Sequence, residues 1–262
     1  MRIFLKLGGS LITEKSRPQT ARHDVLAQAA LEIREALNAR PSLCLLIGHG
    51  SGSFGHTLAS QYATQAGVSG REGWIGFAQV SVAAAELNHL VLTALDRAGV
   101  PVFRVQPSAS ALCQDGELVD MATQPIERAL QEGLIPLVYG DVAIDAIRGG
   151  TIMSTEAIFA YLAERLHPQR ILLAGDYPGV IDSQGRIIPH ITPTKLAAIE
   201  EALGGSEYRD VTGGMAAKVK TMLALCTRVP GLTIQIFPGD EPGMIRQALL
   251  DDGYAIGTRL SV

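Results

Sequence analysis

Short apolar runs of strand length alternate along this chain with longer Ala-, Leu- and Glu-rich stretches, and no other feature restricts the fold as much. Residues 3–7, 43–48, 102–106, 134–139, 171–174 and 233–237 read as strands, and 255–259 as a final edge strand. Residues 23–40, 79–98, 123–132, 154–166, 194–203, 215–228 and 241–250 read as helices. Asp24 falls in the first turn of the first helix, where its charge favours the helix dipole. Gly99 and Pro101 end the second. Strands joined through helical crossovers predict an α/β fold with a mainly parallel sheet covered on both faces. The chain has 262 residues and shows no linker, low-complexity tract or solenoid-length repeat, so one domain over 1–262 is expected. A ligand of such a sheet sits at the carboxyl ends of the strands.

Two of those ends carry glycine-rich turns. The second strand runs into Gly48-His49-Gly50-Ser51-Gly52-Ser53-Phe54-Gly55-His56, and the first into Lys6-Leu7-Gly8-Gly9-Ser10. Small residues let several backbone N–H groups approach one anion, and His56 adds a donor whose charge varies near neutral pH. The first turn has the spacing of neither a P-loop nor a dinucleotide fingerprint. Lys6 reads either as a phosphate ligand or as a strand-ending lysine whose head reaches solvent. Two phosphate cradles on adjacent strand ends suggest passage of a phosphate from one to the other.

Other strand and helix ends add candidates. Asp141, in Tyr139-Gly140-Asp141, reads as a substrate contact or as a turn residue. Ser154 reads as an N-cap, with Glu156 in the first turn stabilising the dipole or organising nearby lysines. The segment 175–182, with Asp176 and Tyr177, follows a strand, contains turn chemistry and is a candidate to line a nucleotide pocket. Residues 210–215 bring a Gly-Gly turn to a helix start, a place that favours anions, and Lys218 lies one turn beyond Gly214. Lys220 points to another face.

Composition narrows the partners. The net charge of −4 gives no field for nucleic acid. Cys44, Cys113 and Cys226 are far apart and form no C-x-x-C pair, against zinc or a disulfide framework and in keeping with a reducing cytosol. The N-terminus has no signal-peptide pattern, and no apolar run reaches the roughly 20 residues of a membrane span. A cytoplasmic protein is expected.

Taken in order, K-L-G-G-S at 6–10, G-S-G-S-F-G-H at 50–56, Y-G-D at 139–141, G-D-Y-P-G-V at 175–180 and D-V-T-G-G-M-x-x-K at 210–218 resemble the amino acid kinase superfamily over nearly the whole chain. Within it they are most similar to the isopentenyl phosphate kinases, because the S-F-G-H histidine marks these and their fosfomycin-kinase relatives. The resemblance implies a three-layer αβα sandwich with a mainly parallel central sheet. It also implies ATP and Mg²⁺, a homodimer, and transfer of phosphate from ATP to isopentenyl phosphate, a step of isoprenoid precursor synthesis. The part at about 1–150 would hold the acceptor, and that at about 151–262 the ATP.

The resemblance also implies roles. Lys6, Gly8, Gly9 and Ser10 would meet ATP phosphates. Ser51 and Gly52 would lie between the acceptor phosphate and ATP, with Ser53 beside them on the nucleotide side. His56 would hydrogen-bond the acceptor, Lys15 would neutralise the transferring group, and Asp176, Gly214 and Lys218 would complete the ATP side. Thr155 stands where the family has a glycine that meets the substrate phosphate, and Glu156 where it has an aspartate that orients lysines. Ser51 also replaces a usual glycine. An apolar tail would need a wall, for which Leu58, Val80, Val82 and Ile152, on helices after His56, are candidates. A phosphonate kinase of the fosfomycin type and a non-catalytic nucleotide-binding protein of the same fold are the alternatives.

Overall fold

The computed structural model describes residues 1–182, 184–196, 214–253 and 255–262. Its strands are β1 (Arg2–Leu7), β2 (Cys44–His49), β3 (Val102–Arg104), β4 (Leu112–Gln114), β5 (Glu117–Asp120), β6 (Ile135–Tyr139), β7 (Asp141–Asp145), β8 (Gly149–Met153), β9 (Arg170–Gly175), β10 (His190–Ile191), β11 (Thr233–Pro238) and β12 (Thr258–Leu260). Its helices are α1 (Gly9–Ile12), α2 (His23–Ala39), α3 (Gly52–Gln61), α4 (Gly70–Arg97), α5 (Gln124–Gln131), α6 (Thr155–Leu166), α7 (Met215–Arg228) and α8 (Met244–Leu250). The main sheet runs β10-β12-β11-β9-β1-β2-β6-β3 and is parallel apart from the β11–β12 pair.

Strand periodicity sorts the core into two faces. Phe4, Leu46, Val138, Ile171 and Ile234 point to one side, where they meet Phe159 and Leu162 of α6 and Met222 of α7. Their neighbours Ile3, Leu5, Leu45, Ile47, Leu137 and Leu172 point to the other, against Ile33 of α2, Leu87 of α4 and Ala248 of α8. Every central strand is therefore apolar at consecutive positions, as a parallel sheet with two covered faces requires. The αβα layering follows.

The structure differs from the sequence reading at several points. A second sheet, β5-β4-β7-β8, was not expected. Its strands are short and half exposed at Leu112, Val119 and Ile144, so they lack an apolar run. It is tied instead by the carboxylate of Asp145, which accepts backbone N–H groups from Asp115, Gly116, Ile147 and Arg148 at 2.7–3.1 Å. Asp141 is accordingly the buried first residue of β7, accepting from Ser108 N and Val142 N, and not a turn residue.

Helix α4 starts at Gly70, not at residue 79. Gly70, Gly73 and Gly76 argue against helix locally, but a Cβ on Gly76 would strike the Tyr62 ring. By length and composition α4 also suffices to cross a membrane, contrary to the reading of its sequence; here its Val80, Ala83, Ala84, Leu87, Val91 and Leu95 are buried in the core. Strand β12 is not an edge, because β10 pairs with its outer side. Turns α1 and α3 were not read as helices. The helix expected over 194–203 lies mostly outside the described residues.

Two buried carboxylates generate predictions. Glu32 of α2 accepts from Gly243 N at 2.7 Å and Arg246 N at 3.1 Å, and so caps α8 from another helix. Glu32→Ala should cost about 1–2 kcal/mol, read as a lower midpoint in urea unfolding with an unchanged slope. Burial pushes the Asp145 carboxyl up, but its backbone N–H donors outweigh that and hold it at about 2. A folded pKa below the unfolded value stabilises fully above the ordinary carboxylate range and loses that contribution as pH falls toward 2. The melting-temperature gap between wild type and Asp145→Asn should therefore be largest near neutral pH and shrink as acid is added.

Candidate functional site

Strands β1 and β2 end side by side, Leu7 opposite His49, and each passes directly into its glycine turn. The turns touch backbone to backbone. A Cβ on Gly9 would lie 2.5 Å from Gly52 N, and one on Gly50 would lie 2.9 Å from Gly9 N. Gly52 has φ +47, and a side chain there would strike Thr13 Oγ1. Only glycine permits this approach. The buried Thr13 hydroxyl clamps the contact by donating to Gly9 O at 2.7 Å and accepting from Ser53 N at 3.0 Å.

Over these turns opens a cleft of about 630 Å³. Lys6, Gly8, Gly9, Ser10, Lys15, Ser51, Gly52, Ser53, His56, Thr155, Glu156 and Lys218 all line it. Three elements far apart in sequence converge on its charged end. Lys6 Nζ of β1 lies 2.5 Å from Glu156 Oε1 of α6, and Lys218 Nζ of α7 lies 3.7 Å from the same oxygen. Ser154 caps α6 by accepting from Ala157 N at 3.0 Å, which places Glu156 in the first turn. Burial pushes the Glu156 carboxyl up, yet Lys6 and Lys218 together bring it to about 2. The carboxylate is ionised throughout the working pH range and leaves the trio a net charge of +1. Lys218 also donates to the Tyr177 hydroxyl at 3.1 Å.

On the rim, Lys15 pairs with Asp176 at 2.7 Å, and Ser10 donates to the same carboxylate at 2.7 Å. Burial raises the Asp176 carboxyl and these two donors more than offset it, so its pKa is lowered. Asp176 thus holds two cleft residues without forming the cleft wall itself. Gly214 is the exposed N-cap residue just before α7, also outside the wall; residues 210–213 of its motif are not among those described.

His56 sits on the first turns of α3, solvent-accessible and lining the cleft, and its imidazole makes no hydrogen bond or ion pair to any described residue. Ser51 takes ordinary backbone angles, φ −80 and ψ −14, so a serine is accommodated where a glycine is usual. The Thr155 side chain is buried, and its hydroxyl donates to His49 O at 2.6 Å. What Thr155 offers the cleft is therefore backbone.

The cleft lining also includes apolar side chains, Val80 and Ala84 of α4 and Ile152 and Met153 of β8. Ile152 lies on a strand and not on a helix. Leu58 and Val82 do not reach this wall; they face a shallow outer groove beside Ile75. The spacing along a helix could not reveal which face looks inward. Tyr177, in the segment expected to line a nucleotide pocket, does line the cleft, whereas Thr13 and the buried pair His49 and Asn88 were missed as site elements. Of these three, only His49, inside the glycine-rich stretch, carried a sequence signal.

Residues 1–237 match the amino acid kinase family. An isopentenyl phosphate kinase of Haloferax volcanii is 40% identical, over 85% of this chain and 88% of its own length. One of Methanothermobacter thermautotrophicus is 34% identical, over 99% and 98%. An X-ray structure of isopentenyl phosphate kinase superposes with a TM-score of 0.84 at 30% identity, covering 100% of both chains. The ordered glycine turns, the lysine–carboxylate cluster between them and this likeness over full length lead to one conclusion: the chain belongs to the amino acid kinase family and, within it, groups with the isopentenyl phosphate kinases.

Proposed function

We propose that this protein transfers the γ-phosphoryl group of ATP to isopentenyl phosphate, giving isopentenyl diphosphate and ADP. The observation that carries this reading is one cleft lined together by Lys6, Lys15 and Lys218, by both glycine turns, by His56 and by apolar side chains of α4 and β8. A phosphonate antibiotic needs no apolar wall; a five-carbon tail does, and Val80, Ala84, Ile152 and Met153 supply it.

The acceptor is itself a phosphate, so it needs no strong general base. The obstacle is repulsion. Two unit charges 4 Å apart cost about 4 kcal/mol at an effective dielectric near 20, and each reactant carries more than one. Catalysis on this reading is alignment plus neutralisation. Lys6, Lys15 and Lys218 oppose the phosphate charge, and the backbone of Gly8, Gly9, Ser10, Gly52, Ser53 and Gly214 surrounds the nucleotide phosphates. Ser51, Gly52, His56 and the backbone of Thr155 hold the acceptor in line. Glu156 keeps Lys6 and Lys218 on one point, and Asp176 does the same for Lys15 and Ser10.

Among the described residues no three carboxylate, imidazole or thiolate groups gather to cage a metal. Glu156 and Asp176 are each engaged by lysine. This donor set fits a Mg²⁺ ion held chiefly by nucleotide phosphate oxygens and its own waters. Bound there, the ion would neutralise charge on the β- and γ-oxygens. The reading further takes one domain, with the acceptor on the side of about 1–150 and ATP on that of about 151–262, and a cytoplasmic homodimer. Family membership supports the last point.

His56→Ala should lower turnover by two to four decades, from the usual size of such an interaction. An ATP/Mg²⁺ assay with isopentenyl phosphate beside fosfomycin checks both the residue and the acceptor; full activity in the variant removes His56, and turnover of fosfomycin alone removes the acceptor. Glu156→Gln releases Lys6 and Lys218 from their common anchor and should lower kcat about 10–100-fold; its melting temperature should fall as well, because two lysines lose the anion between them, so turnover is compared at a temperature where both proteins are folded. A kcat within twofold of wild type would show that the lysines do not need the carboxylate.

A further inference from the structure

Beneath the cleft floor lies a buried polar chain to which the transfer chemistry assigns no task. His49, the last residue of β2, is fully buried, with its ring stacked on Tyr139 at 5.6 Å between centroids. Its own carbonyl is held twice, by the Thr155 hydroxyl at 2.6 Å and by Gly140 N at 3.1 Å. The ring makes two polar contacts. Nδ1 lies 3.0 Å from Gly50 O, and Nε2 lies 3.0 Å from Asn88 Nδ2.

These contacts select one tautomer. A carbonyl only accepts, so the proton is on Nδ1. Burial lowers the ring's pKa to about 4, so near neutral pH it carries no second proton. Nε2 must then accept, and the Asn88 amide must donate to it. The Asn88 Oδ1 is left buried without a partner. A side chain that tolerates an unsatisfied oxygen in order to present its N–H group is oriented by that N–H.

The consequence falls on one peptide. The Gly50–Ser51 bond is trans, so its C=O and N–H point in opposite directions. His49 holds the C=O toward the interior. The Ser51 N–H is thereby directed toward the cleft that Gly50, Ser51 and Gly52 line, and it has no partner among the described residues. A peptide following glycine has little steric preference for one orientation, so an anchor is needed.

We propose that His49 is a positioning residue: with Asn88 fixing its tautomer, it pins the Gly50–Ser51 peptide so that Ser51 N–H stands as a preorganised donor to an oxygen of the phosphoryl groups in the cleft. The inference rests on the proposed function only in requiring a phosphate there, whichever acceptor carries it.

The test uses three substitutions in the full chain. His49→Phe keeps the stack on Tyr139 and removes the donor. His49→Asn puts an amide nitrogen close to the place of Nδ1. Asn88→Leu frees the tautomer and also removes a buried unpartnered oxygen, so it leaves a folded protein to measure if His49→Phe does not fold. In ¹⁵N-labelled protein, inorganic phosphate and, separately, ADP should move the Ser51 amide proton downfield in wild type and His49→Asn. Neither should move it in His49→Phe or Asn88→Leu. In turnover, His49→Phe should lose about 10–100-fold in kcat/KM, the range for one anion donor, and His49→Asn should stay within about fivefold. A Ser51 amide unmoved by both anions in wild type overturns the donor; an equal shift in His49→Phe, or no rescue by His49→Asn in a folded protein, overturns the role of His49. Because the probes are inorganic phosphate and ADP, a failure of isopentenyl phosphate as substrate is read separately.

Discussion

The site depends on the contact between Gly9 and Gly52. Two neighbouring parallel strands end in turns whose backbones approach closer than any side chain permits. That approach places two sets of N–H groups around one volume, and the Thr13 hydroxyl bridges them through one bond to each turn. The strands themselves hold the turns steady, since both are buried on two faces of the sheet. A substitution at either glycine would separate the cradles and would act on both halves of the reaction at once.

Charge is the second constraint. Burying Lys6 alone would be costly, and burying Glu156 alone would raise its pKa. Together with Lys218 they form a trio in which the carboxylate remains ionised and the lysines are drawn to a single point. A buried ion pair is weak evidence for stability, because desolvation offsets much of the attraction. Its value here is geometric. The cations come from a strand, and from a helix more than two hundred positions later, and a third element fixes where they meet.

How much could be read from the chain differs between these parts. The central strands were legible because their burial on both faces leaves unbroken apolar runs, and the glycine turns were legible because close approach admits no other residue. The hairpins β4–β5 and β7–β8 were not. Their half-exposed strands carry no run, and what ties them, the Asp145 carboxylate, looks like any surface aspartate. The cleft lining divides in the same way. Lys6, His56, Tyr177 and Lys218 sit in motifs, whereas Thr13 reaches Ser53, and Asn88 reaches His49, only through tertiary contact. Leu58 and Val82 were misplaced because helical spacing says which residues share a face and not which face looks toward the ligand.

One more consequence follows from the position of β1. It pairs with β2 on one side and with β9 on the other. The first partner is complete by residue 49, but the second is not made until residues 170–175. Until then the central strand, apolar over Ile3–Leu5 and at Leu7, has an open edge, of the kind that invites pairing with another chain. Long-range parallel pairing of this sort also forms slowly. During synthesis the N-terminal part is therefore a fragment with its central strand half unpaired, and release of the chain before β9 emerges would leave a species prone to association. The strand that carries Lys6 to the centre of the cleft is also the strand that makes the nascent protein vulnerable.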